Sequence, residues 1–378
     1  MPRKTNIRIN DSDYYRVTAT VGINADGQPI RKQFYGESKK DAEAKRDEYL
    51  INIKKGLPTS FDKITFNSVF KTWLETVLKP SVSLASYNKY ETDYRLRIQS
   101  GVLSKMKLVD IKSIHVQSFY NDLLNKFTVN TVRQTHSLIH NFFKYCLKSD
   151  LILKDPLLAV ELPVLKSTSE TNRALTDREI EKLLSAAKNE PKYFIFAFAL
   201  FSGLRQGEIL ALTFRDIDFI NNVIRVNKSV KYLTVNGEYK AVLSHTKTSH
   251  SVRDIPILEA IQTPLREHMR REIEKYRMLS ITHTEHSLLF SSYAATYREG
   301  GNLRISLKRL CKRLKMPPVT FHSLRHSFCT ILAKQGVPLK TASMLMGHAS
   351  IAVTARVYTH VDNVELKKGI EKLSAYYI

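Results

Sequence analysis

The spacing of hydrophobic positions changes three times along the 378-residue chain, and each change predicts a different kind of element. Between residues 6 and 36, short runs suit strands: Tyr14 to Val21, a turn at residues 24–27, then Ile30 to Tyr35 before Gly36. Strand-forming runs on either side of a glycine-bearing turn predict a small antiparallel sheet. A charged stretch follows, in which Ser38 is placed to cap a helix that runs to Lys55 and stops at Gly56. Tyr14, Phe34 and Tyr35 are expected to form the thin core beneath that helix.

The period then lengthens. Gly56 to Ser60 reads as a linker, after which Thr65 is placed to cap a helix with Val69, Phe70, Trp73, Leu74 and Val77 on one apolar face and Pro80 at its close. Ser83 starts a second helix. A third is expected over about 113–127 and a fourth over about 130–148, the last carrying Leu138, Ile139, Phe142, Phe143 and Cys146. A Pro-bearing stretch from Pro156 to Thr171 separates this helical segment from the next.

The third segment opens with Thr176 and Glu179 at capping-box spacing, followed by a stripe of Ile180, Leu183, Leu184 and Ala187. A wholly apolar helix then ends at Ser202-Gly203. Alternation returns in Val223 to Val226, Val230 to Tyr232, an Asn236-Gly237 hairpin turn, Tyr239 to Leu243 and Ser251 to Pro256, read as one small sheet with Lys247 in its loop. The remainder is helical, and a helix over about 321–334 places Leu324, Phe328, Ile331 and Leu332 at core spacing. The expectation is a multidomain α+β chain: a small antiparallel β-sheet plus helix at 1–57, a helical domain at 63–155, and a mainly α domain with a small sheet at 171–378.

Charge narrows the function. Fifty-nine Lys and Arg against 36 Asp and Glu give a net charge of +23, far more than solubility needs, and the excess is spread along the whole chain. That distribution fits a long polyanion, nucleic acid, better than a membrane surface. Arg16, Arg31 and Lys32 are then expected to face DNA. Three widely spaced cysteines, Cys146, Cys311 and Cys329, form no metal-binding pattern and no disulfide framework, which points to the cytoplasm. The longest apolar run, from Tyr193 to Phe201, is well short of the ~20 residues a membrane helix needs.

The chemistry concentrates near the end of the chain. His322 and Arg325 stand three apart at a helix start, where two cationic donors and the helix amides together suit a phosphate. A single HxxR pair is ordinarily a solvated helix face. Here it has company in Ser202-Gly-Leu-Arg-Gln-Gly-Glu208, Thr246-Lys-Thr-Ser-His-Ser-Val-Arg253, His322-Ser-Leu-Arg-His326, Met346-Gly-His-Ala-Ser350 and Tyr358-Thr-His360. In this order the five stretches resemble the tyrosine recombinase family, the phage and conjugative-element integrases whose catalytic fold is shared with type IB topoisomerases. Met346 departs from the family's more usual leucine, a volume-conserving change expected to be mild.

The resemblance implies a site-specific recombinase that cleaves and rejoins DNA through a 3′-phosphotyrosine. Tyr358 would be the nucleophile, Arg205 and Arg325 the charge-neutralising pair, Lys247 the general acid, and His322 and His348 phosphate or proton-handling groups. Glu208, His326 and His360 would support them. Tyr297, Tyr376 and Tyr377 are rival tyrosines in the same segment, but only Tyr358 follows the Gly-His at the family's distance. The resemblance further implies an arm-site-binding sheet, a core-site-binding helical domain, action as a homotetramer on double-stranded attachment sites, accessory roles for a host DNA-bending protein and a directionality factor, and no metal or other cofactor. The competing readings are a catalytically idle DNA-binding regulator with the same fold and a topoisomerase-like activity.

Overall fold

A computed structural model describes residues 6–9, 12–23, 28–54, 64–164, 173–245, 252–348 and 350–358, which divide into two compact units, Met1–Lys166 and Ser167–Ile378. Among the described residues, no helix is long and apolar enough to cross a membrane.

The first unit begins with an antiparallel sheet of β1 (Asn6–Ile9), β2 (Ser12–Ile23) and β3 (Pro29–Gly36), followed by α1 (Lys39–Lys54). Asp41 N donates to Ser38 Oγ (3.1 Å), so the expected cap is present. Phe34 is buried and meets Tyr49 of α1 edge-on, with 5.1 Å between ring centroids. Strand alternation puts Lys32 on the same face as Phe34. Its ammonium lies 3.8 Å from the Tyr49 ring centroid, so Lys32 is engaged by the helix, whereas Arg31 and Tyr35 point the other way and are exposed. The expectation that Tyr35 lies in the core is thereby corrected. The turn at 24–27 and the stop at Gly56 lie outside the described residues.

Helix α2 (Phe66–Trp73) starts where Ser68 N donates to Thr65 Oγ1, passes through a π turn over Leu74–Leu78 and ends in α3 (Lys79–Ser81). Pro80 has no amide for the carbonyl four residues back, and the helix widens just before it. Val77, expected on the apolar face, is exposed, and Leu78 is buried instead. The widened turn shifts the register by one position. Helices α4 (Leu84–Asp93, capped by Ser83), α5 (Ser113–Leu124) and α6 (Val129–Lys148) complete the bundle. Its centre is aromatic: Phe66, Phe70, Trp73, Phe142 and Phe143 are all buried in mutual contact.

The second unit is built around one buried helix. After α7 (Asp177–Asn189), with the Thr176/Glu179 capping box in place, comes α8 (Phe194–Ser202), which is apolar on all sides and is packed against α7 and later helices. It stops at Gly203, whose φ of +61° puts it in the left-handed region; a Cβ there would lie 2.2 Å from the Phe328 ring, so only glycine fits. Short α9 (Gln206–Ile209) follows. Among the described residues the strands make two sheets, not the single one expected. β4 (Ile217–Asp218), β5 (Val223–Val226) and β8 (Arg253–Pro256) form one, while β6 (Lys228–Val235) and β7 (Glu238–His245) pair only with each other across the Asn236-Gly237 turn. Helices α10 (Glu259–Met278), α11 (Gly300–Arg313), α12 (Phe321–Lys334), α13 (Leu339–Met346) and α14 (Ile351–Tyr358) close the unit. Thr320 caps α12, accepting from Ser323 N at 3.1 Å.

Candidate active site

The C-terminal end of α13 is where the sequence-distant groups meet. A helix end leaves carbonyls without intrahelical donors and carries partial negative charge, so it attracts cations. Here three successive carbonyls each take a different arginine. Leu345 O accepts from Arg253 Nε (2.9 Å), Met346 O from Arg325 Nη2, and Gly347 O from Arg205 Nη2 (2.9 Å). Gly347 ends the helix at φ +60° in the left-handed region, and a Cβ on it would sit 2.8 Å from Arg253 Nη1.

Arg325 comes from the second turn of α12 and is only 3% exposed. Its Nη1 donates to Gly203 O (2.6 Å), so it also ties the end of α8 to the end of α13. Burial, then the nearby charge of Arg205, lowers its pKa to about 9, which still leaves it charged at neutral pH. Arg205, the residue before α9, is 45% exposed in its side chain, and its Nη1 donates to Glu208 Oε1 (2.9 Å). Glu208, 3% exposed, is shared: Arg253 Nη2 donates to its Oε2 at 2.9 Å, and Arg205 N donates to the same oxygen. Burial alone would raise the Glu208 pKa, but hydrogen bonds and charge from Arg253, then Arg205, outweigh it and hold the group below the ordinary carboxylate range.

His348 follows Gly347, and its Nδ1 is 2.8 Å from the buried Thr354 Oγ1 on α14. Burial, then the charges of Arg325, Arg205 and Arg253, lowers its pKa to about 4, so the imidazole is neutral at pH 7. The ordinary value of ~6.5 applies in the unfolded chain. The unfolded state therefore binds the proton first, and the stability that His348 contributes is complete above about pH 6.5 and is lost as pH falls from 6.5 towards 4. Melting temperature followed from pH 7.5 to 4.5 should fall less steeply in His348→Asn than in the native chain; equal slopes would contradict this environment.

His322 is exposed, although Arg325 three residues on is buried, so the pair does not present one common surface. Partial desolvation, then Arg325, His326 and Arg205, lowers the His322 pKa. His326 Nδ1 is 3.2 Å from Thr330 Oγ1, a contact within α12. Tyr358, at the end of α14, is partly buried and donates its hydroxyl to Val337 O (3.0 Å), in the link between α12 and α13. Burial, then Cys329, raises its pKa. The structure thus gathers Arg205, Glu208, Arg325 and His348 at one helix end and holds the Tyr358 hydroxyl on a backbone carbonyl. Lys247, His360, Tyr376 and Tyr377 lie outside the described residues, Lys247 two positions beyond the end of β7. Arg253 is the residue that reading for individual roles left out; its place in the Thr246 to Arg253 stretch was the available signal.

Residues 173–365 match the phage integrase family, and residues 65–124 match the N-terminal SAM-like domain of phage integrases. A tyrosine recombinase XerC-like protein of Caldanaerobacter subterraneus subsp. tengcongensis is 35% identical over 392 aligned residues, covering 100% of both chains. The ICEBs1 integrase of Bacillus subtilis is 26% identical, covering 96% of this chain and 97% of the relative. Among solved structures, the Tn1549 transposon integrase in complex with a circular intermediate DNA aligns with a TM-score of 0.70 at 22% identity, over 82% of this chain and 99% of that one. A lambda integrase dimer bound to a core site aligns with a TM-score of 0.59 at 16% identity, over 94% and 95%.

Proposed function

The chain belongs to the phage integrase family of tyrosine recombinases, and from that premise we propose how its own residues break and rejoin DNA. It is a site-specific recombinase, and the observation that supports the assignment of roles is the meeting of Arg205, Arg325 and His348 on consecutive residues at the end of α13. Cutting DNA without losing the energy of the phosphodiester requires a side chain that attacks phosphorus and later leaves again. A phenol, with a pKa of about 10, leaves more readily than an alkoxide. Tyr358 Oη attacks the scissile phosphorus, a 3′-phosphotyrosine forms, and the bond to the 5′-oxygen breaks. A proton from Lys247 completes the departing 5′-hydroxyl. Return of a 5′-hydroxyl reverses each step and releases Tyr358.

Charge gathers on the non-bridging oxygens in the five-coordinate transition state, and Arg205 and Arg325 neutralise it as fixed guanidinium forks. Neutral His348 donates one hydrogen bond to a phosphate oxygen in the tautomer whose proton is on Nε2, with Nδ1 then accepting from Thr354 Oγ1, 2.8 Å away. His322, the exposed imidazole of the group, takes the phenolic proton or holds the phosphate. Charge neutralisation by arginine leaves no step that calls for a metal or ATP. Residues 1–57 bind arm-site DNA, residues 63–155 bind the core site, and residues 171–378 cut it. Four protomers act together on two attachment sites, with host bending and directionality factors as accessory partners, in the cytoplasm of a bacterial host.

The test is a nicked suicide duplex that carries the element's junction sequence and loses its 5′-hydroxyl strand on cleavage. A covalent protein–DNA adduct should accumulate to the same level with EDTA present and ATP absent. No adduct on any cognate junction would leave the idle-regulator reading in its place.

A further inference from the structure

We propose that Arg253 is a positioning residue for DNA cleavage, holding the Arg205 guanidinium and the Gly347-His348 turn in the arrangement that receives the scissile phosphate. The proposal rests on the roles given above to Arg205 and His348. Arg253 has a side chain only 7% exposed and shares the buried Glu208 carboxylate with Arg205: its Nη2 donates to Oε2 at 2.9 Å and its Nη1 to Oε1 at 3.4 Å, the oxygen that also accepts from Arg205 Nη1 at 2.9 Å. Two guanidiniums on one carboxylate are fixed relative to each other; without Arg253, Glu208 loses the two contacts that tie it, and through it the Arg205 guanidinium, to β8. Arg253 Nε also holds Leu345 O, the first of the three successive carbonyls whose other two take Arg325 and Arg205. The missing Cβ of Gly347 is what allows the turn to lie against the Arg253 guanidinium, and His348 is the next residue. Finally, Arg253 opens β8, so its contacts join that strand to the same cluster.

A residue acting through Arg205 differs from one that only supports the fold in a way that the substrate itself reports. Replacing a non-bridging oxygen of the scissile phosphate by methyl removes the negative charge that Arg205 is there to neutralise, so a misplaced Arg205 matters less on a methylphosphonate. The full-length chain, Arg253→Met, Arg253→Lys and Arg205→Ala are compared for single-turnover cleavage on two suicide duplexes, one with the natural diester and one with the methylphosphonate. Arg253→Lys keeps a charge against Glu208 but loses the fork and the Nε bond, which guards against a variant that fails to fold. On the diester, both Arg253 variants should cleave about tenfold to a hundredfold more slowly than the native chain, the range typical when the partner orienting a functional group is removed. On the methylphosphonate the difference should shrink to within about threefold. An equal deficit on both substrates, or none in Arg253→Lys, overturns the proposal. If Arg205→Ala cleaves the diester like the native chain, the reading of Arg205 has failed; if it shows the substrate-dependent deficit and the Arg253 variants do not, only the role of Arg253 has.

Discussion

Tyr358→Phe is expected to form no covalent adduct with a suicide duplex while binding that duplex as tightly as the native chain. Phenylalanine removes one oxygen and keeps the ring, so α14 retains its packing and its Thr354–His348 tie. What is lost in the free protein is one hydrogen bond, from the hydroxyl to Val337 O. Its net worth is about 0.5–1.5 kcal/mol, too little to unfold the domain. The chemical loss is far larger, because no other group replaces a missing nucleophile, and cleavage should fall by about four orders of magnitude or more. Burial, then Cys329, disfavours the phenolate, and in the proposed reaction the hydroxyl exchanges the Val337 carbonyl for phosphate. Gel-shift affinity and adduct yield, measured on one preparation, separate the two effects. Loss of both together would place Tyr358 in the fold instead of the reaction.

Arg325→Ala should have the second-largest effect, with two components. As a transition-state donor its removal should slow cleavage by roughly a hundredfold to a thousandfold. As a buried cross-link its removal leaves Gly203 O and Met346 O without their guanidinium donor, at a cost of about 1–3 kcal/mol for each carbonyl. A sequence-level view of Arg325 as a free phosphate ligand expects only the first component. Thermal unfolding of the variant measures the second, and single-turnover cleavage well below the new melting temperature measures the first. Arg325→Lys should recover little of either, since an ammonium is not a planar fork that can span two carbonyls set by different helices. Cleavage by Arg325→Ala within about threefold of the native rate would remove Arg325 from the catalytic group.

Local signals were legible in the sequence because their causes are local. Thr65, Ser83, and Thr176 with Glu179 each cap the helix their side chains announce, and Asn236-Gly237 makes its hairpin because two positive-φ positions are needed there. Where the structure departs, the deciding partner is remote. Alternation identifies β6 and β8 as strands but says nothing of their neighbours, so two sheets read as one. Val77 loses its place in the core to Leu78 because Pro80, three residues beyond Val77, widens the helix. The i,i+3 spacing of His322 and Arg325 suggests a shared face, yet α12 is packed so that one of them is exposed and the other is enclosed by α8 and α13. The carbonyl ladder at residues 345–347 has no local signature at all: its arginines come from 92, 21 and 142 positions away. Resemblance to a family supplied Arg205 and Arg325 of that cluster but gave Arg253 no role, and the structure supplies the reason that the three stand where they do.

Tyr358 is proposed as the protein end of a covalent DNA joint, and identifying the residue that carries the DNA checks that assignment. The adduct trapped on a suicide duplex is digested with protease and nuclease, and the nucleotide-bearing peptide is sequenced by mass spectrometry. A 3′-phosphoryl nucleotide is expected on Tyr358. Attachment at Tyr297, Tyr376, Tyr377 or a serine, or a phosphate left on the 5′ end, would contradict it.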